Sequence, residues 1–429
     1  MTPLFQKPNP IQPDELAGYQ TALASTQGNI LKSHGRAHTV NVFLSFHGDL
    51  PSLKAAIRGL AAEVTSTLAQ SRQTRAVQSL FVGFGISSGG YKQLGYDPGS
   101  FPSTAFQGGM ARENSGLGDP PSSQWEEKYR VAPDAMILLA HADPCVLHTE
   151  LARITAPFAG LAMIATEAGA AIYNGTEPME QFGFVDGISQ PLFFQSDVDK
   201  VAAQTGVAQW DPGAGTSLVL VKDPFGRSDD DCGSYYVFRK LEQDVLGFKS
   251  RECDLQKGLA ACQDPGLAGA FVVGRFRDGT PVVQSQIPMA KLANDFVYAG
   301  SASGTGSDSP GRRCPFSSHI RKVNPRGDTS SMGEERTHRI ARRGITYGIQ
   351  GSGAPVGLLF QCCQSCLKTQ FEFLQGHWMN QSKQPTRDAG LDPVAGESKG
   401  SNQQWPIQWG TGLELILDFG GFVTLQGGG

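Results

Sequence analysis

In the segment TVNVFLSF, apolar residues fall on alternate positions, with Val40, Val42, Leu44 and Phe46 on one face. A period of two is that of a strand with one buried face. Beyond HGDLP the spacing changes to four, three and four, through Leu53, Ile57, Leu60 and Val64. That is the stripe of an amphipathic helix, with Pro51 near its start, where the missing N–H costs nothing. The same change of period recurs. AMILLAHA reads as a strand, Asp143 and Pro144 as a helix cap and first helical residue, and Leu147, Leu151 and Ile154 as the stripe that follows. In the second half, SYYVF leads into Leu241, Val245 and Phe248, and VGLLFQCC into Leu367, Phe371 and Leu374. VQSLFVGFG, AFVVGRF and ITYGI are further strand-like runs between these units.

Four strand–helix units with extra strands between them predict an α+β protein of two ferredoxin-like (β-α-β-β-α-β) domains, each an antiparallel sheet backed by helices. The turn-rich, acidic segment WDPGAGTSLVLVKDPFGRSDDDCG sets the boundary near residue 225, giving domains 1–225 and 226–429. Residues 300–313 and 382–404 read as long surface loops. Such folds host many activities, so function has to be argued from particular residues.

Composition narrows the field. With 429 residues and 39% hydrophobic content the chain can bury real cores, and 53 glycines and 26 prolines imply many turns. A net charge of −4 gives no broad basic field, which argues against nucleic acid or anionic lipid as a partner. No apolar run is long enough to span a bilayer, and no secretory signal is visible at the start, so a cytoplasmic home is the default expectation and export of a processed form stays open. Eight scattered cysteines suit reduced thiols. Cys363 and Cys366 have a CxxC spacing but lack the partners a zinc site needs, and read as small buried residues.

Three places carry candidate chemistry. In GFVDGISQP, Asp186 stands between glycines in an otherwise apolar turn. An aspartate there can simply shape the turn, or serve as a general acid–base in an apolar setting. His319 lies in CPFSSHIRKVNPR, followed by Arg321, Lys322 and Arg326. It is either a structural histidine or an axial ligand, with cations nearby suited to the propionates of a haem. Arg342 and Arg343 open RRGITYG, and a buried arginine is a permanent cation able to stabilise developing negative charge. GSGAPVG lacks the strand-GxGxxG-helix context of a dinucleotide site.

Together these pieces resemble the dye-decolorizing peroxidases over nearly the whole chain. QGNILKSHGR is similar to the family's opening, GFVDG fits its GxxDG motif, and GSYYVFRKLEQDVLGF resembles the start of its second domain. CPFSSHIRKVNPR resembles the haem-histidine segment, ARRGITYG the distal-arginine segment, and LLFQCCQSCLKTQFEFLQGHWMN the strand and helix after it. The resemblance implies two ferredoxin-like domains with one haem b per chain, bound mainly by the C-terminal domain. It implies reduction of hydrogen peroxide and one-electron oxidation of bulky aromatic donors such as anthraquinone dyes and phenols.

By position, His319 is then the proximal iron ligand, Asp186 the distal acid–base and Arg342 its partner. Arg342 matches rather than Arg343 because the family's arginine stands five residues before the aromatic of YG, here Tyr347. Arg321 and Gly187 join the cofactor-binding set, and Leu358 and Phe360 form an apolar distal wall. Asp392 is a candidate acceptor for the other nitrogen of His319. Tyr347 and Trp378 are candidate surface oxidation sites, although Trp378 continues the stripe of Leu374 and equally suits buried structure. Relatives usually continue past GGFVTLQGGG into a short aromatic segment. A haem-binding or iron-handling protein without peroxidase turnover, and a non-catalytic ferredoxin-like module, are the competing readings. Monomer and homo-oligomer are equally compatible with the chain.

Overall fold

The computed structural model describes residues 2–72, 79–111, 116–261, 263–290, 294–299, 307–329, 331–386, 388–397 and 402–428. Residues 300–306 and parts of 382–404 in the two expected loops, and Cys262, lie outside these.

The first sheet comprises β1 (His38–Phe46), β2 (Phe81–Ile86), β3 (Ala135–His141) and β4 (Ala162–Ala170), in the order β2-β3-β1-β4 and antiparallel throughout. Two helices pack on one face of it. Helix α1 (Leu50–Ala61) starts at Asp49, whose carboxylate accepts from Ser52 N at 3.0 Å. Helix α2 (Pro144–Thr155) starts at Asp143, which accepts from Cys145 N at 2.8 Å and is followed by Pro144 at the first helical position. The periodicity predicted the buried faces: Val42, Leu44 and Phe46 meet Leu53, Leu60, Leu147 and Ile154 in one core.

The second sheet is built the same way. It contains β5 (Tyr235–Gln243), β6 (Ala341–Arg342), β7 (Ile345–Tyr347), β8 (Gly357–Gln364) and β9 (Val423–Gly428). Central β5 pairs with β8 and β9, and β8 pairs in turn with β6 and β7. Both sheets thus have the strand order of a ferredoxin-like unit, and the terminal GGFVTLQGG segment supplies the last strand of the second. The inner faces of the sheets meet: Phe43 on β1 and Phe238 on β5 have ring centroids 4.9 Å apart, and Gln361 Nε2 donates to Asn41 Oδ1 at 3.2 Å.

Helices α3 (Val245–Gly258) and α4 (Leu267–Val273) lie in the largest core. The run AFVVGRF is therefore helical up to Val273 and not a strand. Leu267 to Val272 are all fully buried, and a helix apolar all round carries no period to distinguish it from a buried strand. Gly274, at φ +97°, ends it, and a Cβ there would come within 3.1 Å of Ile320 Cβ. The stripe from Leu367 also differs from expectation: it gives one turn, Phe371–Phe373, and then a π-helix, Leu374–Met379. Among the described residues no helix is long and apolar enough to cross a membrane.

Candidate functional site

Two aromatic anchors fix the Asp186 turn. Phe182 stacks on Phe248 of α3 at 4.2 Å, and Phe184 meets the same ring edge-on at 6.1 Å, so this segment of the N-terminal half sits in the C-terminal core. Glu180 gathers the backbone between them. Its carboxylate accepts from Phe182 N (2.8 Å), Phe184 N (2.9 Å) and Gln243 Nε2 (2.7 Å). Burial pushes the Glu180 carboxyl up, and those three donors pull against it. The flanking Gly183 and Gly187 have φ of +95° and +83°, which a residue with a Cβ rarely adopts. A Cβ on Gly187 would meet nothing within 4 Å, so the turn borders open space.

Asp186 emerges there. Its Oδ1 accepts from Gly187 N at 2.6 Å and from Arg342 Nη1 at 3.1 Å. Among the described residues no hydrogen bond reaches Oδ2. Arg342 sits at the end of β6 and is tied to the same turn by two more bonds, Nη2 to Ile188 O (2.9 Å) and its amide to Gln190 Oε1 (3.0 Å). The two side chains are 37% and 29% exposed for arginine and aspartate, so they face open space as a pair. Arg343 points the other way. It is buried, donates to the carbonyls of Asn29 and Ile30, and holds structure.

His319 opens the short helix α5 (His319–Val323). Its Nδ1 lies 2.8 Å from Asp392 Oδ2, and Asp392 Oδ1 accepts from Val394 N (2.8 Å) and Ala395 N (2.9 Å). Burial pushes the Asp392 carboxyl up, but His319 and the two amides outweigh it and hold it below the usual range. An ionised acceptor makes Nδ1 the protonated nitrogen and leaves Nε2 as the free donor of a lone pair.

Cations suited to carboxylates are present, but they differ from the expected one. Arg321 is fully buried and already paired, with Asp328 (Nε–Oδ2 2.6 Å) and Asp308 (Nη1–Oδ2 3.1 Å). Its charge, expected for the cofactor set, is satisfied within the protein. Arg326 and Arg275 are buried and form no ion pair among the described residues. Arg326 donates to Ser189 Oγ (3.0 Å) and Asn294 Oδ1 (2.9 Å), with Nε unpartnered, and Arg275 donates to Asn294 Oδ1 (2.6 Å). Burial lowers them to about 9 and about 10. Two buried cations without anions fit a ligand that brings two carboxylates, as a haem does, and a free imidazole Nε2 fits its iron. Ser189, three residues after Asp186, thereby links the distal turn to the segment that follows His319. Nothing in HIRKVNPR distinguishes Arg321 from Arg326, which the sequence offered together, and Arg275 follows α4, in the run read as a strand, so sequence reasoning missed it.

On β8, Leu358 and Phe360 are half-buried on one face, with the fully buried Leu359 on the other. Tyr347 and Trp378 are not surface residues: they are 7% and 4% exposed. Trp378 is covered edge-on by His338 and Phe373 at 5.3 and 5.4 Å, and the Tyr347 ring lies under the Lys240 ammonium at 5.0 Å. Cys362 and Cys363 are buried in β8, all cysteines among the described residues are free, and no group of three or more metal-ligating side chains occurs among those residues.

No protein-family model matches the chain. It is 37% identical to a multifunctional dye peroxidase of Amycolatopsis sp., over 95% of this chain and 93% of the other. It is 32% identical to a dye-decolorizing peroxidase of Mycena epipterygia, over 77% and 67%. Among solved structures, a DyP-type peroxidase of Anabaena sp. superposes with a TM-score of 0.91 at 37% identity, covering 98% of this chain and 94% of that one.

Proposed function

The chain belongs to the dye-decolorizing peroxidases, and we propose that Asp186, Arg342 and His319 form its peroxide-reducing site, holding one haem b per chain. Family membership implies the haem, and the residues present fit it. His319 Nε2 would ligate the iron, Arg326 and Arg275 would take the propionates, and Leu358, Phe360 and the Cβ-free edge at Gly187 would leave an apolar space beside Asp186. Residues 226–429 supply the histidine and the arginine, and residues 1–225 the aspartate.

Bound haem supplies the iron and the electrons for cleaving the O–O bond. The protein positions the proton. Asp186 takes a proton from hydrogen peroxide on Oδ2, the oxygen that no described residue holds, and returns it to the departing oxygen so that water leaves. Arg342, fixed by Ile188 and Gln190, offers a permanent cation to the negative charge that develops. Asp392 keeps the His319 ring oriented and electron-rich. Aromatic molecules of the dye and phenol class are the electron donors the reading implies.

The observation that carries this reading is the link between the two sides: the Asp186 turn reaches the His319 segment through Ser189 and Arg326. Titration with ferric haem tests it. Wild type is expected to take one equivalent with the spectrum of an imidazole-ligated iron. His319→Ala is expected to lose that spectrum and regain it with added imidazole. An identical spectrum from both proteins would remove His319 from the site.

A further inference from the structure

Strand β2, FVGFGI, turns Val82, Phe84 and Ile86 toward the helices and Phe81, Gly83 and Gly85 toward the second sheet. Gly83 and Gly85 lie opposite Leu138 and Met136 on β3. Without side chains at those two positions the sheets do not close on each other there, and a cavity of about 460 Å³ remains. A Cβ built on Gly85 would meet nothing within 4 Å, and neither would one on Gly233, which also borders the cavity. Protein interiors seldom keep voids larger than a water molecule, whereas ligand pockets run from roughly 300 to 1,000 Å³.

Aromatic rings form part of the walls. Tyr91, Phe101, Phe106 and Tyr235 follow one another at ring distances of 4.8, 4.8 and 5.4 Å. Such a run of rings offers edges and faces to a flat aromatic guest. The Cys363 thiol in the wall is pushed up to about 11 by burial and stays neutral. Asp186, His319 and Arg342 do not border this cavity.

We propose that the cavity between the sheets binds a neutral, flat aromatic molecule of about two fused rings, apart from the peroxide-reducing site. Lys222, Asp223 and Glu372, also in its wall, bring one positive and two negative charges and give no net attraction to an anion.

Equilibrium dialysis of the haem-loaded protein against coumarin, a neutral bicyclic lactone, tests this without turnover. The expected result is saturable binding of one coumarin per chain, unchanged when cyanide occupies the iron. Gly85→Trp, which fills the cavity from a strand position with room for a side chain, is expected to weaken it at least about tenfold. Gly85→Val covers the case in which the tryptophan impairs folding, and is expected to give a smaller loss with an unchanged circular dichroism spectrum. Three results would each overturn the proposal: no saturable binding to wild type, displacement of coumarin by cyanide, or wild-type affinity in the glycine variants.

Discussion

Replacing Asp186 by Asn removes a proton acceptor and little else. The amide oxygen of Asn still accepts from Gly187 N and from Arg342, the two bonds that Asp186 Oδ1 makes. The ion pair that is lost is about one-third exposed on both sides, and such pairs contribute roughly 0.2–1 kcal/mol, with solvent screening favouring the lower end. Folding stability should therefore barely change. The chemical step should change greatly, because a positioned acid–base contributes about 10²–10⁴ in rate, equivalent to about 2.7–5.5 kcal/mol of barrier. Stopped-flow mixing of haem-loaded Asp186→Asn with hydrogen peroxide measures the second-order rate constant, and thermal unfolding checks the fold. A fall within that range at an unchanged Tm is expected. If Asp186→Asn reacts within about threefold of wild type, Asp186 is not the proton carrier, since a factor of three is only about 0.65 kcal/mol.

Other consequences are separable. Asp392→Asn takes the anion from His319, so the reduction potential of the bound iron should rise and activity fall about 10–100-fold; an unchanged potential in spectroelectrochemistry would contradict the pairing. Arg326→Met should weaken haem binding, whereas Arg321→Met should leave Asp308 and Asp328 uncompensated and cost about 3–5 kcal/mol in urea unfolding; the reverse pattern would restore Arg321 to the cofactor set. Burial raises the Glu397 carboxyl from 4.5 to about 7. The folded state therefore holds that proton more tightly than the unfolded chain, and stability is lost as pH rises through 7. Between pH 5 and 8, wild type should lose about 2.5 kcal/mol relative to Glu397→Gln, as followed by denaturant melts; parallel curves would show that the carboxyl is not so perturbed.

What the sequence showed depended on whether a residue's setting left a periodic trace. The strands at residues 38–46 and 135–141 and the helices after them were legible because each buries one face, and Asp143 and Pro144 mark their helix start by local hydrogen bonding alone. Helix α4 was not, since burial on all sides erases the period. Asp186, Arg342 and His319, the residues proposed for the two sides of the site, stood out as motifs. Their support did not: whether Arg321 or Arg326 is left without an anion depends on how the chain from Asp308 to Asp328 folds around Arg321. Trp378 lies on an apolar stripe, and the structure shows that the stripe buries it. The void between the sheets has its cause in plain sight, at Gly83 and Gly85, but becomes visible only once β2 is known to face a second sheet.

The most direct test is the absorption spectrum of the haem-loaded protein before and after one equivalent of hydrogen peroxide. The account predicts a strong Soret band that converts within the mixing experiment to that of an oxidised haem and returns when an aromatic donor is added. A Soret band that peroxide leaves unmoved would contradict it, and would describe a protein that binds haem without turning peroxide over.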